Sequence, residues 1–178
     1  MYGAKELAQS FRTVRKNTIQ VAEDIPADQY DFQAAPGVKT VAQILAHIAV
    51  SPAWQIEAHT QRIPGVDFAY FGARAPKVAA DEKALAAKNQ IVEALERSGE
   101  EFASMVEKLT PDVLAESVAF APPMQPSQKS RFEMLLWVKE HEMHHRAQLM
   151  LIQRLIGIVP HLTRQMQERM QQAQSQKA

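Results

Sequence analysis

Residues 130–160 read SRFEMLLWVKEHEMHHRAQLMLIQRLIGIVP, and this stretch decides the architecture. Met134, Val138, His141, His145, Gln148, Ile152 and Leu155 recur in alternating steps of four and three, the period of one stripe on an α-helix. Ser130 followed three residues later by Glu133 forms a capping box, in which each side chain satisfies the other residue's backbone N–H. Gly157 and then Pro160 close the helix, because glycine accepts a left-handed turn and proline cannot continue the ladder. A helix this long, with two histidines inside its packing stripe, belongs to a helical bundle.

Working outward, two more segments carry the same alternation. The first runs Leu7, Phe11, Val14, Thr18, Val21, Ile25 and ends at Pro26; the third runs Leu85, Lys88, Val92, Leu95, Gly99, Phe102, Val106, Leu109. The second segment, about Val38 to Arg62, shows Val41, Ile44, Leu45 and Ile48 on a broad apolar arc, with Pro52 as a kink site. Ala35-Pro36-Gly37 marks the turn before it, and Thr110-Pro111 starts a short extra turn after the third helix. Residues 63–80, with Pro64, Gly65, Gly72 and Pro76, read as a long connection, as does the stretch ending Pro122-Pro123-Met124-Gln125-Pro126. Connections of this length imply a crossover or a lid. The expected fold is all-α: a four-helix bundle over residues 1–160 with a long crossover between helices 2 and 3. The glutamine-rich residues 161–178 are expected as a frayed helix or disordered tail.

Composition narrows the function. Lysine plus arginine and aspartate plus glutamate number 20 each, so the net charge is zero and no basic stripe offers itself to phosphates. Arg12, Arg15 and Lys16 share their helix with Glu6, Glu23 and Asp24, which reads as a solvated face. Nucleic-acid binding is not expected. The absence of cysteine removes disulfides, thiolate metal sites and a protein-borne thiol nucleophile. No run approaches the roughly 20 apolar residues that span a bilayer, and the N-terminus lacks a signal-peptide pattern, so a cytoplasmic protein with no membrane association is expected.

The chemistry lies in the histidines. His141 and His145 stand four apart on one helix face, with Cβ atoms about 5–6 Å apart, a spacing that lets two imidazoles converge on one ion. Two rings in an apolar seam need partners for their nitrogens, and a metal ion serves both. His144 with His141 is a rival pairing. Two ligands bind weakly, so another helix should contribute. His47, at the edge of the second helix's arc, is the best candidate. His59, 12 residues further on, lies roughly 18 Å along a straight helix from His47 and cannot share its site. His161 follows the closing Pro160 and is expected to be exposed.

Two motifs overlap this pair. His141-Glu142-Met143-His144-His145 matches the H-E-x-x-H of zinc proteases, in which the glutamate activates water. Glu142-Met143-His144-His145 matches the Glu-x-x-His of di-iron bundles, but no second such motif or further inward glutamates accompany it.

Two blocks together resemble the DinB superfamily. One is Tyr30-Asp31-Phe32-Gln33-Ala34-Ala35-Pro36-Gly37 followed by Thr40 and Ile44-Leu45-Ala46-His47-Ile48. The other is His141 to Leu149 with Gly157 and Pro160 behind it. The likeness runs to about residue 160, with Val38 where tryptophan is frequent and Ala147 where glycine is common. The resemblance implies a four-helix bundle with one mononuclear three-histidine site, whose ligands fall on His47, His141 and His145. It implies a divalent ion (zinc, nickel, iron or manganese) and a homodimer, which is common among similar proteins.

The resemblance further implies a small-molecule substrate and chemistry such as thiol-dependent S-transfer, with a low-molecular-weight thiol as partner, or hydrolysis. Three imidazoles leave a coordination position open, as catalysis requires. Gln148, one turn beyond His145, is placed to orient a ligand; Glu142 and Arg146 either support the site or are solvated. Trp54, Tyr70 and Phe71 either line a pocket or belong to the core. The alternatives are a non-catalytic metal-binding bundle and a dimeric interaction protein.

Overall fold

The computed structural model describes residues 2–175. In chain order the elements are α1 (Ala4–Asp24), α2 (Val41–Val50), α3 (Ala53–Thr60), β1 (Gly65–Val66) and α4 (Phe68–Ala84). There follow α5 (Lys88–Glu107), α6 (Pro111–Ala115), β2 (Ser117–Phe120), β3 (Gln128–Ser130), α7 (Arg131–Leu155) and α8 (His161–Ser175). The protein is all-α apart from the three short strands, in which β1 pairs parallel with β2 and β2 antiparallel with β3.

The bundle consists of α1, α5, α7 and the broken helix α2–α3, and its directions follow from paired residues. Phe11 packs at a tilt against Phe102 while Lys88 donates to the carbonyls of Glu23 and Ile25, so α1 and α5 run antiparallel. Lys139 reaches Ser10 and Arg146 reaches the Val14 carbonyl, so α7 runs parallel to α1. Gln55 donates to the Met134 carbonyl while His47 meets His141, so α2–α3 runs antiparallel to α7. Hence α2–α3 and α5 are parallel. The chain must return along the length of the bundle between them, and the expected crossover does this through β1 and α4.

Local signals explain the boundaries. Ser130 Oγ accepts from the Glu133 backbone N–H at 3.2 Å, and Glu133 accepts from Ser130 N–H at 2.7 Å, as the capping box requires. Thr40 and Gln43 form a second such box at the start of α2. Proline 52 splits the second segment, because α2 ends at Val50 and α3 begins at Ala53. Gly157 ends α7 at φ +83°, the left-handed region open to glycine.

Residues 63–80 depart from the expected loop, because α4 runs through Gly72 and Pro76. Asp67 caps it, accepting from Tyr70 N–H at 2.6 Å. None of its residues is buried, so it has no apolar stripe to betray it. It lies outside the bundle on α2, fastened by the Arg74–Glu57 ion pair and by Phe71 against Trp54, ring centroids 5.2 Å apart. The expected tail is helical as α8 through Ser175, and residues 176–178 lie outside the described residues. His161 at its start is buried, not exposed, with Nε2 3.3 Å from Asn17 Oδ1.

The core forms two clusters. Val21, Ile25, Ile44, Leu45, Ile48, Ile91, Leu95, Leu149 and Ile152 fill one end; Leu7, Phe11, Phe102, Val106, Leu135 and Val138 fill the other. Arg15 and Glu142, 4% and 2% exposed, form a buried ion pair. Arg15 Nε donates to both Glu142 oxygens at 3.0 Å, and its Nη1 donates to Leu95 O and to Ser98 Oγ. Gly99 makes room for that stem, since a Cβ there would lie 2.6 Å from Arg15 Cγ. Arg15 therefore does not belong to a solvated face, and of the two readings open for Glu142 the solvated one does not hold, because its carboxylate is buried against Arg15.

Candidate metal centre

Backbone placement alone brings three imidazoles to one point. The Thr40 box starts α2 so that His47 falls two turns in, on the side toward α7. There the antiparallel packing sets it level with His141, and His145 follows one turn along. His47 Nε2 lies 3.1 Å from His141 Nε2, and His145 Nε2 lies 3.2 Å from the same atom. Among the described residues these three are the group whose ligand atoms gather, all within 4.8 Å of one another. Three nitrogens bound at about 2.0–2.1 Å to one ion stand about 3.0–3.4 Å apart.

Hydrogen bonds fix what two of the rings present. His47 Nδ1 lies 2.7 Å from Glu82 Oε1, and a carboxylate only accepts, so Nδ1 carries the hydrogen and in the neutral ring Nε2 offers a lone pair. His145 Nδ1 lies 2.8 Å from Gln148 Oε1, with the same consequence. Both lone pairs then face His141 Nε2, and a single N–H there can satisfy only one of them. A cation at the centre satisfies all three, so the donor set fits a divalent ion. Burial, with a further contribution from the neighbouring histidines, holds the His141 pKa down to about 4. Burial likewise lowers His145, against the pull of its hydrogen bond to Gln148. Neutral rings are the ligating form.

The surroundings are asymmetric. Trp137 stacks on His141 with centroids 4.8 Å apart and planes at 24°; Trp54 and Phe71 continue this aromatic wall. On the other side a cavity of about 280 Å³ opens beside His145 and Gln148, walled by Val38, Ile44, Leu151 and Ile152, with Lys39 on its rim. Larger clefts lie at the far end, around Leu109 and Phe132, away from these rings.

Not every candidate joins the site. His144 is exposed and lies edge-on to His145, ring centroids 5.0 Å apart, but its Nε2 meets Gln148 Nε2 at 3.3 Å and it does not join the ligand group. His59 is buried in a network of its own: Nε2 donates to Gln55 Oε1 at 2.9 Å and Nδ1 accepts from Arg131 Nη1 at 3.3 Å. Arg146, read from sequence as either supporting the site or solvated, bonds the Val14 carbonyl. Tyr70 lies under the Arg74 guanidinium, 3.5 Å from its ring centroid. Two neighbours escaped the sequence reading. Trp137 was legible as the residue one turn before His141. Glu82, 35 residues from His47 on a helix without a stripe, carried no signal.

No helix among the described residues is long and apolar enough to cross a membrane. No curated protein matches the chain. The DinB superfamily model matches residues 10–149, a span that begins within α1 and holds all three clustered histidines. The chain therefore belongs to the DinB superfamily.

Proposed function

We propose that His47, His141 and His145 hold one divalent ion (zinc, nickel, iron or manganese), and that the protein is a metal-dependent enzyme acting on a small molecule. The reaction we assign is transfer of a low-molecular-weight thiol to an electrophilic carbon. The observation that carries this reading is the convergence of three Nε2 atoms beside a cavity of small-molecule size. An ion held there would supply Lewis acidity, lowering the pKa of a thiol or water that it binds. In the transfer, a carbon–sulfur bond forms as the bond to the leaving group breaks. The leaving group departs with the electron pair, and the thiol proton goes to solvent. The thiol comes from outside, as the chain has no cysteine.

The chain's own residues set the stage. Val38, Ile44, Leu151 and Ile152 offer an apolar wall to the acceptor's carbon body. Gln148, tied to His145 through Oε1, holds that ring's orientation toward the centre. Trp137 covers one face of His141 and limits water there.

One observation favours a second reading, a metal that only braces the fold: the ligands come from two packed helices, α2 and α7. Metal analysis of protein purified without chelator, beside His145→Ala, tests the site. Near-stoichiometric metal in the parent and little in the variant supports it; none in either, even after reconstitution, sinks it. Thiols screened against electrophiles then separate the readings. Turnover that is lost with the metal while the melting temperature scarcely moves favours catalysis. A large fall in melting temperature without turnover with any thiol favours bracing.

A further inference from the structure

We infer that Glu82 is a positioning residue for the metal centre: from the crossover helix α4 it fixes the tautomer and rotation of His47. This rests on the metal reading proposed above. A histidine offers one ring nitrogen to a metal only if the other keeps its hydrogen, and an acceptor beyond that second nitrogen decides which is which. His47 Nδ1 lies 2.7 Å from Glu82 Oε1, while its Nε2 faces the cluster. The carboxylate is itself oriented, since Lys39 Nζ stands 3.6 Å from its other oxygen. His145 has an equivalent anchor in Gln148, on its own helix. His47 has none on α2, so its anchor comes from 35 residues away, on a helix that contributes nothing to the buried core. The crossover thus does more than connect parallel helices, because it completes the first histidine of the site.

Because Glu82 lies outside the core, its replacement can be separated from unfolding. The experiment compares the parent, Glu82→Ala and Glu82→Gln, the last keeping an oxygen that accepts from Nδ1–H. Zinc affinity is measured by competition with a chromophoric chelator, and the melting temperature is measured on metal-free protein. The His47 tautomer in metal-free protein is read from long-range ¹H–¹⁵N correlations. Glu82→Ala should weaken zinc binding about 10–100-fold, the range typical of lost ligand anchors, with the metal-free melting temperature unchanged. Glu82→Gln should recover most of that affinity, and His47 in the parent should be the Nδ1–H tautomer. Equal zinc affinity in the parent and Glu82→Ala, or an Nε2–H tautomer in the parent, overturns the role of Glu82 alone. Glu82→Gln binding as weakly as Glu82→Ala overturns it too, because charge and not the hydrogen bond would then matter. A parent that takes no zinc overturns the metal reading and this role together.

Discussion

Glu142→Ala should destabilise the protein more than most single substitutions, although it touches no candidate ligand. Glu142 is 2% exposed and satisfies both Nε and Nη2 of Arg15, itself 4% exposed. Removing the carboxylate leaves a guanidinium buried among neutral acceptors, the Leu95 carbonyl and Ser98 hydroxyl. Breaking a buried pair from one side costs about 3–5 kcal/mol, because the remaining charge is uncompensated. For a chain of this size each kcal/mol lowers the melting temperature by about 2–4 °C, so a fall of about 6–20 °C is expected. The double variant Arg15→Met, Glu142→Leu removes both charges and keeps apolar volume, so it should recover most of the loss. Urea unfolding of metal-free protein measures this without interference from ligand binding. A loss under about 1 kcal/mol in Glu142→Ala would refute the buried pair. A fully stable variant that had lost all activity would return Glu142 to the chemistry.

Other outcomes follow from the same network. His59 is buried, with its pKa pushed down to about 4 from an ordinary 6.5, chiefly by burial and then by Arg131. The folded ring therefore stays neutral while the unfolded chain takes a proton, so stability is full above pH 6.5 and falls as pH drops toward 4. At about 1.4 kcal/mol per pH unit this share of the loss approaches about 3 kcal/mol, and His59→Gln should make the slope shallower by that share when unfolding is followed across this window, while the part due to His141 persists. Gly99→Ala should lower stability by about 1–2 kcal/mol in spite of alanine's helix propensity, because its Cβ meets Arg15 Cγ. In an Arg15→Ala background the same change should become stabilising, as denaturant midpoints would reveal. Ser130→Ala should cost about 1 kcal/mol through loss of the α7 cap, read from the same transitions.

Much of the fold is legible because three bundle helices bury one stripe each. Leu7, Phe11, Val21 and Leu95, Phe102, Val106 are fully buried where the alternation of four and three puts them. α7 is the instructive exception. Its buried line runs Met134, Val138, Glu142, Leu149, Ile152, whereas the apolar count had run through His141, His145, Gln148 and Leu155. Gln148 and Leu155 are exposed, and the two histidines are half-buried at the edge. A pattern read by hydropathy cannot place a glutamate in the core when its partner, Arg15, is 127 residues away. The same limit hides Glu82 and the His59–Arg131 contact. His141 and His145 are legible as a pair from spacing, but His47 stood only as the best candidate until the family resemblance, since helix pairing is not written in either helix alone.

The buried line also bears on which chemistry the site can host. In H-E-x-x-H the glutamate must reach the ion or its water, yet consecutive residues on a helix diverge by about 100°. His141 and His145 turn toward α2 while Glu142 turns toward α1, where Arg15 holds both its oxygens. The protease motif is therefore present in letters and absent in geometry. Among the described residues the carboxylate hydrogen-bonded to any of the three rings is Glu82, and it is committed to His47 Nδ1. Water-splitting that relies on a side-chain general base thus has no free carboxylate bonded to this cluster. A thiol, whose ordinary pKa of about 8.5 needs only a modest reduction to ionise near neutrality, makes the smaller demand. The buried fate of Glu142 thus removes the base that the protease motif would need, and the S-transfer proposed above does not call for one. Glu142→Gln, which keeps the shape but not the charge, should affect stability before it affects the chemistry.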